Sequence, residues 1–242
     1  MKKRVSIVVP IYKETENVKK IIKNLKNLRS IYEVLFVDAS YNLDIKKYIE
    51  RNSKEFNFIY LTSEKGRAMQ MNKGYRYSHG DVVLFLHCDS KVEYDVLDKI
   101  ANSVDEGVEF GCLSIKFDDN RFLMKICSRM SRRRVEKRKI AFGDQGMFFT
   151  REYFEELGGF EEIPIMEDYD ISIRAKEITP VIQIDSIIIT SSRKYYSGKG
   201  VFYRGKLSFI GVLKTMLDMQ LYQYRFRKGV PAEDIVKQYY KD

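Results

Sequence analysis

The sequence predicts an α/β fold built on a mostly parallel central sheet. Up to residue 90, apolar runs typical of buried strands alternate with segments whose apolar residues recur at helical spacing. This alternation indicates successive βαβ units. The chain has 242 residues, enough to bury a full core, and its three cysteines form no CxxC pair. Neither disulfides nor a structural metal is therefore needed for folding.

The predicted elements follow one another along the chain. Strands are predicted at residues 4–10, 33–38, 56–61 and 81–87, and crossover helices at 14–28 and 66–77. In the first helix, Val18, Ile21 and Leu25 share one face. Beyond residue 90 we predict a helix at 94–104, a strand at 110–117, a basic stretch at 121–139, a strand at 145–150 and a short helix ending at Gly158 and Gly159.

Charge divides the chain into a domain at residues 1–190 and a basic amphipathic helical tail at 191–242. The net charge of +9 is concentrated at 121–139 and 190–229, each with nine basic residues against one acid. Such segments favour a polyanionic partner, whether phosphate, nucleic acid or an anionic membrane surface, and solvated helical faces are the alternative. The apolar side of the tail suits packing on the domain, on a second subunit of a homodimer or on a membrane.

The amino terminus gives an expectation about location. The apolar run behind the first basic residues spans only residues 5–9, which is too short for a signal peptide or a membrane span. Together with the unpaired cysteines, this predicts a cytoplasmic protein. If the basic tail rests on anionic lipid, the expected place is the inner face of the membrane.

Polar residues stand where predicted strands end. Ligands of parallel α/β sheets bind at the carboxyl ends of the strands. Glu14 follows the first strand and Asp38 closes the second, where its carboxylate can accept hydrogen bonds from a base or ribose. His87 and Asp89 follow the fourth, and two such residues on extended backbone can converge on one ion. A turn or helix-cap aspartate is the structural alternative at each acid.

Two further segments carry charge in a pattern that suits chemistry. Lys65 and Arg67 precede and begin a predicted helix, an arrangement that favours a bound diphosphate. Glu167, Asp168 and Asp170 offer three carboxylates in one helical turn, and their repulsion can raise one pKa enough for proton acceptance near neutrality. A solvated amino-terminal turn is the alternative. The order of all these groups along the chain favours one shared site.

Seven ordered blocks resemble the family 2 inverting glycosyltransferases of GT-A fold, over residues 4–195. The blocks are SIVVPIYKETENV at 6–18, VLFVDAS at 34–40, GRAMQMNKG at 66–74, GDVVLFLHCDS at 80–90, GDQGMFFTREYFEELGGF at 143–160, IPIMEDYDISIR at 163–174 and TSSRKYY at 190–196. Within that family the chain is similar to the small branch called radical-SAM/selenodomain-associated transferase 2. The resemblance implies the Rossmann-like sheet of nucleotide-diphospho-sugar transferases, flanked by helices.

The resemblance also implies a reaction and its residues. A sugar would pass with inversion from a UDP- or GDP-sugar to the hydroxyl of an unidentified acceptor, which a lipid can carry, with Mn²⁺ or Mg²⁺ as cofactor. Asp168, beside Glu167, would be the general base. Asp89 and His87 would hold the metal. The donor-binding residues would be Pro10, Glu14, Asp38, Lys65, Arg67, Asp89, Asp144, Gln145 and Arg193.

Three positions depart from the family pattern. His87 stands where the wider superfamily has the first acid of its DXD motif, which puts metal preference in question. The segment 41–44 replaces the usual Asp-Gly-Ser-Thr-Asp-Gly loop, and Lys13 replaces a common asparagine.

Two other functions were weighed. A nucleotidyltransferase of similar fold would carry a Gly-rich loop after the first strand, which this chain lacks. A non-enzymatic basic module for nucleic acid or membrane would leave the acidic strand ends unexplained, so a nucleic-acid partner is not expected.

Overall fold

The computed structural model describes residues 2–192, 195 and 209–239. Within them the strands are β1 (Val5–Ile11), β2 (Glu33–Asp38), β3 (Phe58–Thr62), β4 (Val82–Phe85), β5 (Lys91–Val92), β6 (Phe110–Phe117), β7 (Phe148–Thr150) and β8 (Ile182–Thr190). The helices are α1 (Thr15–Leu25), α2 (Leu43–Asn52), α3 (Arg67–Arg76), α4 (Val96–Asp105), α5 (Phe122–Arg138), α6 (Arg151–Glu156), α7 (Glu167–Lys176), α8 (Phe209–Arg227) and α9 (Ala232–Tyr239).

In the described residues, all eight strands form one sheet in the order β3-β2-β1-β4-β7-β6-β8-β5. The pairs β3/β2, β2/β1, β1/β4 and β6/β8 are parallel, whereas β7 runs antiparallel to both of its neighbours and β5 antiparallel to β8. The predicted α/β fold with a mostly parallel sheet is confirmed. The strand order reverses between β1 and β4, and a crevice at such a reversal is where ligands of these sheets bind.

Both faces of the sheet are covered, which explains the continuous apolar runs of its central strands. All six residues of β2 are buried. One core packs α1, α2 and α4 on the sheet, and the other packs α3, α6 and α7. The second core holds four clustered rings, those of Phe85, Phe149, Phe154 and Phe160, with neighbouring centroids 4.9 to 6.2 Å apart.

Several elements lie outside the sequence prediction. Helix α2 was not predicted, although Asn42 caps it by accepting hydrogen bonds from Asp44 N (2.8 Å) and Ile45 N (3.4 Å). Only Ile45 and Ile49 of α2 are buried, so its apolar pattern is weak. Strands β5 and β8 were also missed, because most of β8 is partly exposed and its pattern is irregular. Strand β4 ends at Phe85, two residues before the predicted end.

The tail helices pack on the side of α7. Tyr222 of α8 and Ile235 of α9 are buried in a small core with Met166 and Tyr169, and the rings of Tyr169 and Phe226 lie 6.1 Å apart. Among the three partners considered for the tail, this contact is with the domain itself. In the described part of the chain, every helix is too short or too polar to span a bilayer.

Candidate active site

Asp38 ends β2 with its carboxylate buried and engaged. Oδ1 accepts hydrogen bonds from the backbone N–H (2.7 Å) and the hydroxyl of Ser40, and Oδ2 accepts one from the Tyr60 hydroxyl (2.8 Å). Burial raises the pKa of Tyr60, and the hydrogen bond to Asp38 adds to this rise. Each carboxylate oxygen keeps further acceptor capacity, so Asp38 is oriented by the protein while it can still accept from a ligand.

A buried amide connects the carboxyl ends of the neighbouring strands β1 and β2. Gln70 of α3 donates through Nε2 to the backbone carbonyls of Ile11 and Val37, at 2.7 Å each. Ile11 and Asp38 are also register partners at the carboxyl ends of β1 and β2. The two strand ends are therefore fixed relative to each other by side-chain as well as backbone hydrogen bonds.

An aromatic ring with two cations follows β1. The ammonium groups of Lys13 and Lys65 lie 5.4 and 5.0 Å from the centroid of the Tyr12 ring, within cation–π range. Lys13 adopts a positive φ of 55°. Glu14 begins α1 and accepts a hydrogen bond from Asn17 Nδ2 at 2.5 Å. Lys65 and Glu14, two predicted donor-binding residues, thus flank the same end of β1.

Arg67 and Glu167 form an ion pair between the start of α3 and the start of α7. The Glu167 side chain is only 1% exposed, whereas that of Arg67 is 42% exposed. Burial raises the pKa of Glu167; the charge of Arg67 opposes that rise and Asp168 adds to it. Glu167 is thus committed to Arg67, and this geometry makes it a support for the arginine instead of a proton acceptor for a substrate.

Asp168 is oriented by backbone N–H groups, whereas Glu167 forms an ion pair. Oδ2 accepts a hydrogen bond from the backbone N–H of Gly143 (2.8 Å), and Oδ1 accepts from its own neighbour Tyr169 N (2.8 Å). The residue is half-buried, and in the described residues no lysine, arginine or histidine pairs with it. Asp170 on the same helix, by contrast, pairs with Arg174 at 2.8 Å. Among the three clustered acids, only Asp168 has an oriented carboxylate without an ion pair to a described side chain.

Gly143 brings Asp168 next to His87. A Cβ built on Gly143 would lie 2.8 Å from His87 Nε2 and 3.4 Å from Asp168 Oδ2, so only glycine fits between them. His87 Nε2 is buried and, in the described structure, lacks a hydrogen-bond partner. Burial lowers the pKa of His87 and Arg67 lowers it further, while the charges of Asp89, Asp144 and Asp168 oppose this.

The segment from His87 to Asp89 connects the two halves of the site. Burial raises the pKa of the Cys88 thiol, and the nearby charges of Glu14, Asp89 and Asp38 raise it further. The charges that act on His87 are those of Arg67, Asp89, Asp144 and Asp168. The strand pairing and the contact of Gly143 with both His87 and Asp168 place the ends of β1, β2 and β4 and the start of α7 at the same edge of the sheet.

The side chains after β4 bear on the predicted metal site. In the described residues, no three histidine, cysteine or acidic side chains are grouped as a ready-made metal site. Asp89 is half-exposed after β4, and a divalent ion bound by one carboxylate and by substrate phosphates needs no larger protein cage. Asp89 fits such an ion. His87 Nε2 faces the backbone of Gly143. The charge of Asp89 acts on the His87 ring, but this nitrogen is not directed at an ion beside Asp89.

The turn after α5 carries Asp144 and Gln145. Gln145 is fully buried, and its Oε1 accepts hydrogen bonds from Arg134 Nη2 (2.5 Å) and Phe142 N (3.2 Å). Because Gln145 is buried and its amide oxygen already accepts these two hydrogen bonds, it holds Arg134 in position. Pro10 is half-buried at the end of β1. Arg193 lies outside the described residues.

Sequence reasoning missed four residues that shape the site: Ser40, Tyr60, Gly143 and Arg134. Only Gly143 left a signal, as the first glycine of the Gly-Asp-Gln-Gly turn. Ser40 bonds Asp38 two residues away, a contact that the sequence did not reveal. Tyr60 and Arg134 act through contacts with residues of other elements, which a single sequence does not mark.

The fold and site can now be compared with known proteins. The model of the family described as Glycosyl transferase family 2 matches residues 6–158. The chain belongs to that family. A relative, the dolichol-phosphate mannosyltransferase of Pyrococcus furiosus, is 29% identical over 108 residues, which are 43% of this chain and 31% of the relative. The aligned part is therefore about a third of that relative's length.

Solved glycosyltransferase structures share the fold, and the predicted GT-A fold is confirmed. The mannosyltransferase PcManGT from Pyrobaculum calidifontis, in complex with GDP-Man and Mn²⁺, superposes with a TM-score of 0.69 at 17% identity, covering 94% of this chain and 64% of that one. S. aureus TarS 1–349 in complex with UDP-GlcNAc gives 0.62 at 15% identity, covering 88% and 65%. The chain thus spans slightly less than two thirds of each.

Proposed function

We propose that this family 2 domain transfers a sugar, with inversion, from a nucleotide-diphosphate donor to an acceptor hydroxyl, assisted by Mn²⁺ or Mg²⁺. The observation that carries the proposal is the segment from His87 to Asp89. Gly143 lies against His87 Nε2 and donates to Asp168 Oδ2, and β1 pairs with both β4 and β2, which ends at Asp38. The charges of Glu14, Asp38, Asp144 and Asp168 also act on this segment. A donor and an acceptor can therefore meet beside one strand end.

The donor would lie across the carboxyl ends of β1, β2 and β4. Asp38, oriented by Ser40 and Tyr60, accepts hydrogen bonds from the nucleoside, and the ring of Tyr12 with Lys13 and Lys65 borders the same end of β1. Asp89 would hold the divalent ion, whose positive charge neutralises the departing nucleotide diphosphate when bound. The Mn²⁺ and GDP-Man of PcManGT support this choice of cofactor and donor class.

Arg67 contributes a fixed positive charge to the same edge of the sheet. Burial opposes its charged form, but Glu167 and Asp168 outweigh burial and raise the pKa of Arg67. The Arg67 side chain is 42% exposed at the start of α3, where anions are favoured. We assign it to the donor diphosphate, with Glu167 as its positioning residue.

Asp168 would be the general base. Two backbone N–H groups orient its carboxylate, and such orientation limits the motion of a proton acceptor. The acceptor oxygen would bond to the anomeric carbon as the bond from that carbon to the diphosphate oxygen breaks. The hydroxyl proton would pass to Asp168. A single displacement from the face opposite the leaving group inverts the configuration.

The experiment uses donors without an acceptor. Calorimetric titration of GDP-mannose and UDP-GlcNAc with Mn²⁺ should show metal-dependent binding of at least one of them. Slow hydrolysis of that α-linked donor, followed by proton NMR, should give the β-sugar first, because water then replaces the acceptor. First formation of the α-sugar would reject inversion. Binding of neither donor with either metal would reject the donor class.

A further inference from the structure

A cavity of about 350 Å³ lies between α5 and α8, beside the site described above. Its floor is apolar and includes Cys127, Met216 and Met219, and Phe117 stands at the end of β6. Methionine side chains adapt to irregular apolar ligands. Arg133, Arg134, Lys137 and Arg138 also line it, and Asp144 is the one acid among its lining residues within the described chain. The cavity therefore combines an apolar floor with a surplus of positive charge.

Arg134 is the most informative of these cations. Its guanidinium carbon lies 3.9 Å from the centroid of the Phe142 ring, Nε donates to the Ile140 carbonyl (3.2 Å) and Nη2 donates to Gln145 Oε1. All three partners are neutral, and within the described residues no carboxylate pairs with Arg134. Burial lowers the pKa of Arg134, and the charges of Asp144 and Asp168 oppose this. Arg134 is half-buried, and a partly desolvated guanidinium with neutral partners is stabilised by an added anion.

The cavity adjoins the proposed base through one short turn. Phe142 and Asp144 line the cavity, and Gly143 between them donates to Asp168 Oδ2. A molecule held in the cavity needs to pass only this turn to place a hydroxyl at Asp168.

Exposed apolar side chains lie on the two helices that line the cavity, and one of them, Met130, is itself a lining residue. Phe122, Ile126 and Met130 recur every four residues along α5, and Leu213, Leu217 and Leu221 do so along α8; all six are exposed. The exposed stripe on α5 is interspersed with Lys125, Arg129 and Arg133. Apolar side chains beside basic ones on a helix surface suit the interface of an anionic bilayer.

We propose that the cavity between α5 and α8 binds the acceptor, and that this acceptor is a membrane lipid whose head group carries a phosphate and the accepting hydroxyl. Arg134 binds the phosphate, the chain lies along Met216 and Met219, and the hydroxyl reaches Asp168 past the turn. This rests on the proposed function and names its acceptor class. The phosphate is the recognised group, and the hydroxyl is the group that is glycosylated.

The first test measures binding of n-decyl phosphate, below its micellar concentration, by calorimetry. We expect binding to the wild-type chain to weaken about 10- to 100-fold in Arg134→Gln, since a charge-assisted bidentate contact is lost. Met216→Glu should weaken it similarly by placing a negative charge on the apolar floor. Arg51→Gln, at an exposed position of α2 that does not line the cavity, is the matched control and should bind as the wild type does.

Three ligand arms separate the sources of the anion. Inorganic phosphate binding as tightly as n-decyl phosphate would reject the apolar chain, and n-decyl maltoside binding equally well would reject the anion. Sedimentation with phosphatidylglycerol vesicles, but not with phosphatidylcholine vesicles, is expected for the wild type and reduced in Met216→Glu. Equal sedimentation of both proteins with phosphatidylglycerol vesicles would reject the bilayer as the source.

Folding and the donor reaction are checked separately. If thermal unfolding shows that Arg134→Gln is not folded, the double variant Lys137→Gln/Arg138→Gln at the cavity rim replaces it, with the same expected direction. Donor hydrolysis needs no acceptor. If the folded variants bind n-decyl phosphate as the wild type does and still hydrolyse the donor, the acceptor inference alone is wrong. If the wild type itself binds no donor, the proposed function is wrong.

Discussion

The two ends of the central sheet both carry buried acids, but the hydrogen bonds that these acids make differ between the ends. At the amino end, Glu33 Oε1 accepts hydrogen bonds from the Ser6 hydroxyl and from His79 N, both at 2.5 Å, and Oε2 lies 3.1 Å from His79 Nδ1. At the carboxyl end, His87 Nε2 and Glu167 Oε2 are buried and have no hydrogen-bond partner within the described structure. Buried polar groups are normally paired. Glu33 is therefore engaged within the fold and contributes to its stability. We propose that the carboxyl end, where Asp168 lies next to His87 and Gly143, is the end that meets ligands.

The largest test of this contrast is Asp168→Asn at the carboxyl end. We expect kcat to fall by roughly two to four orders of magnitude, the usual contribution of general-base catalysis, with donor affinity nearly unchanged. The control is Asp170→Asn two residues away, which breaks the pair with Arg174 and should affect stability more than kcat. Equal loss of kcat in both variants would remove Asp168 from its assigned role.

Asp89→Ala should have the next largest effect. Without this carboxylate the donor with its metal should bind roughly 10- to 100-fold more weakly, the range seen when a metal site is impaired. The melting temperature should stay near that of the wild type, because a half-exposed residue at a strand end packs little. Calorimetry with Mn²⁺ measures the first and thermal unfolding the second. A lower melting temperature with unchanged donor affinity would make Asp89 structural.

Glu33→Gln probes the amino end of the sheet and should lower stability without lowering kcat. The buried carboxylate loses charge-assisted hydrogen bonds to Ser6 and His79, at a cost of about 1 to 3 kcal/mol in the free energy of unfolding, while kcat stays unchanged. Asp81→Asn at the same end is the control, since its pair with Arg4 is exposed and should contribute less. Urea unfolding gives both values. A fall in kcat for Glu33→Gln would contradict the division between the two ends.

The smallest expected effect is a pH dependence of stability from Glu33. Burial pushes the pKa of Glu33 upward, but the hydrogen bonds from Ser6 and His79 outweigh burial and hold it below the ordinary value of 4.5. A lowered carboxyl pKa stabilises the fold above the unfolded-state pKa, and this contribution disappears as pH falls through the folded-state pKa. The stability gap between wild type and Glu33→Gln should therefore narrow as pH falls below about 4. A constant gap from pH 6 to pH 3 would contradict it.

Local pattern located most elements of the first half of the fold, although it missed α2. The apolar runs at β1, β2 and β4 and the helical spacing in α1 placed these elements within a few residues, and the acids at their ends followed from the rule for parallel sheets. Strand β7 and its antiparallel pairing depend on partners 60 or more residues away in β4. Nothing in a three-residue strand indicates such a partner, so the order of the later strands was not predictable.

The site shows the same limit. The cluster of Glu167, Asp168 and Asp170 could be found by spacing, but the division of labour among them required their partners: Arg67 for the first, two backbone N–H groups for the second and Arg174 for the third. Gln145 is predicted to meet the donor or acceptor, and the structure adds that its amide oxygen accepts hydrogen bonds from Arg134 and Phe142 N. A side chain's residue type gives its chemistry, whereas its neighbours decide whether that chemistry is available to a substrate.

Gln70 has a consequence for how related chains could change their nucleotide preference. Since one amide group ties Ile11 to Val37, the spacing between the two strand tips cannot adjust to a larger or smaller base. Selectivity for purine or pyrimidine would then have to evolve in the flanking loops, where Lys13 and Tyr41 already adopt left-handed backbone conformations. Exchanging those loops between homologues should transfer base preference, whereas exchanging the strands should not.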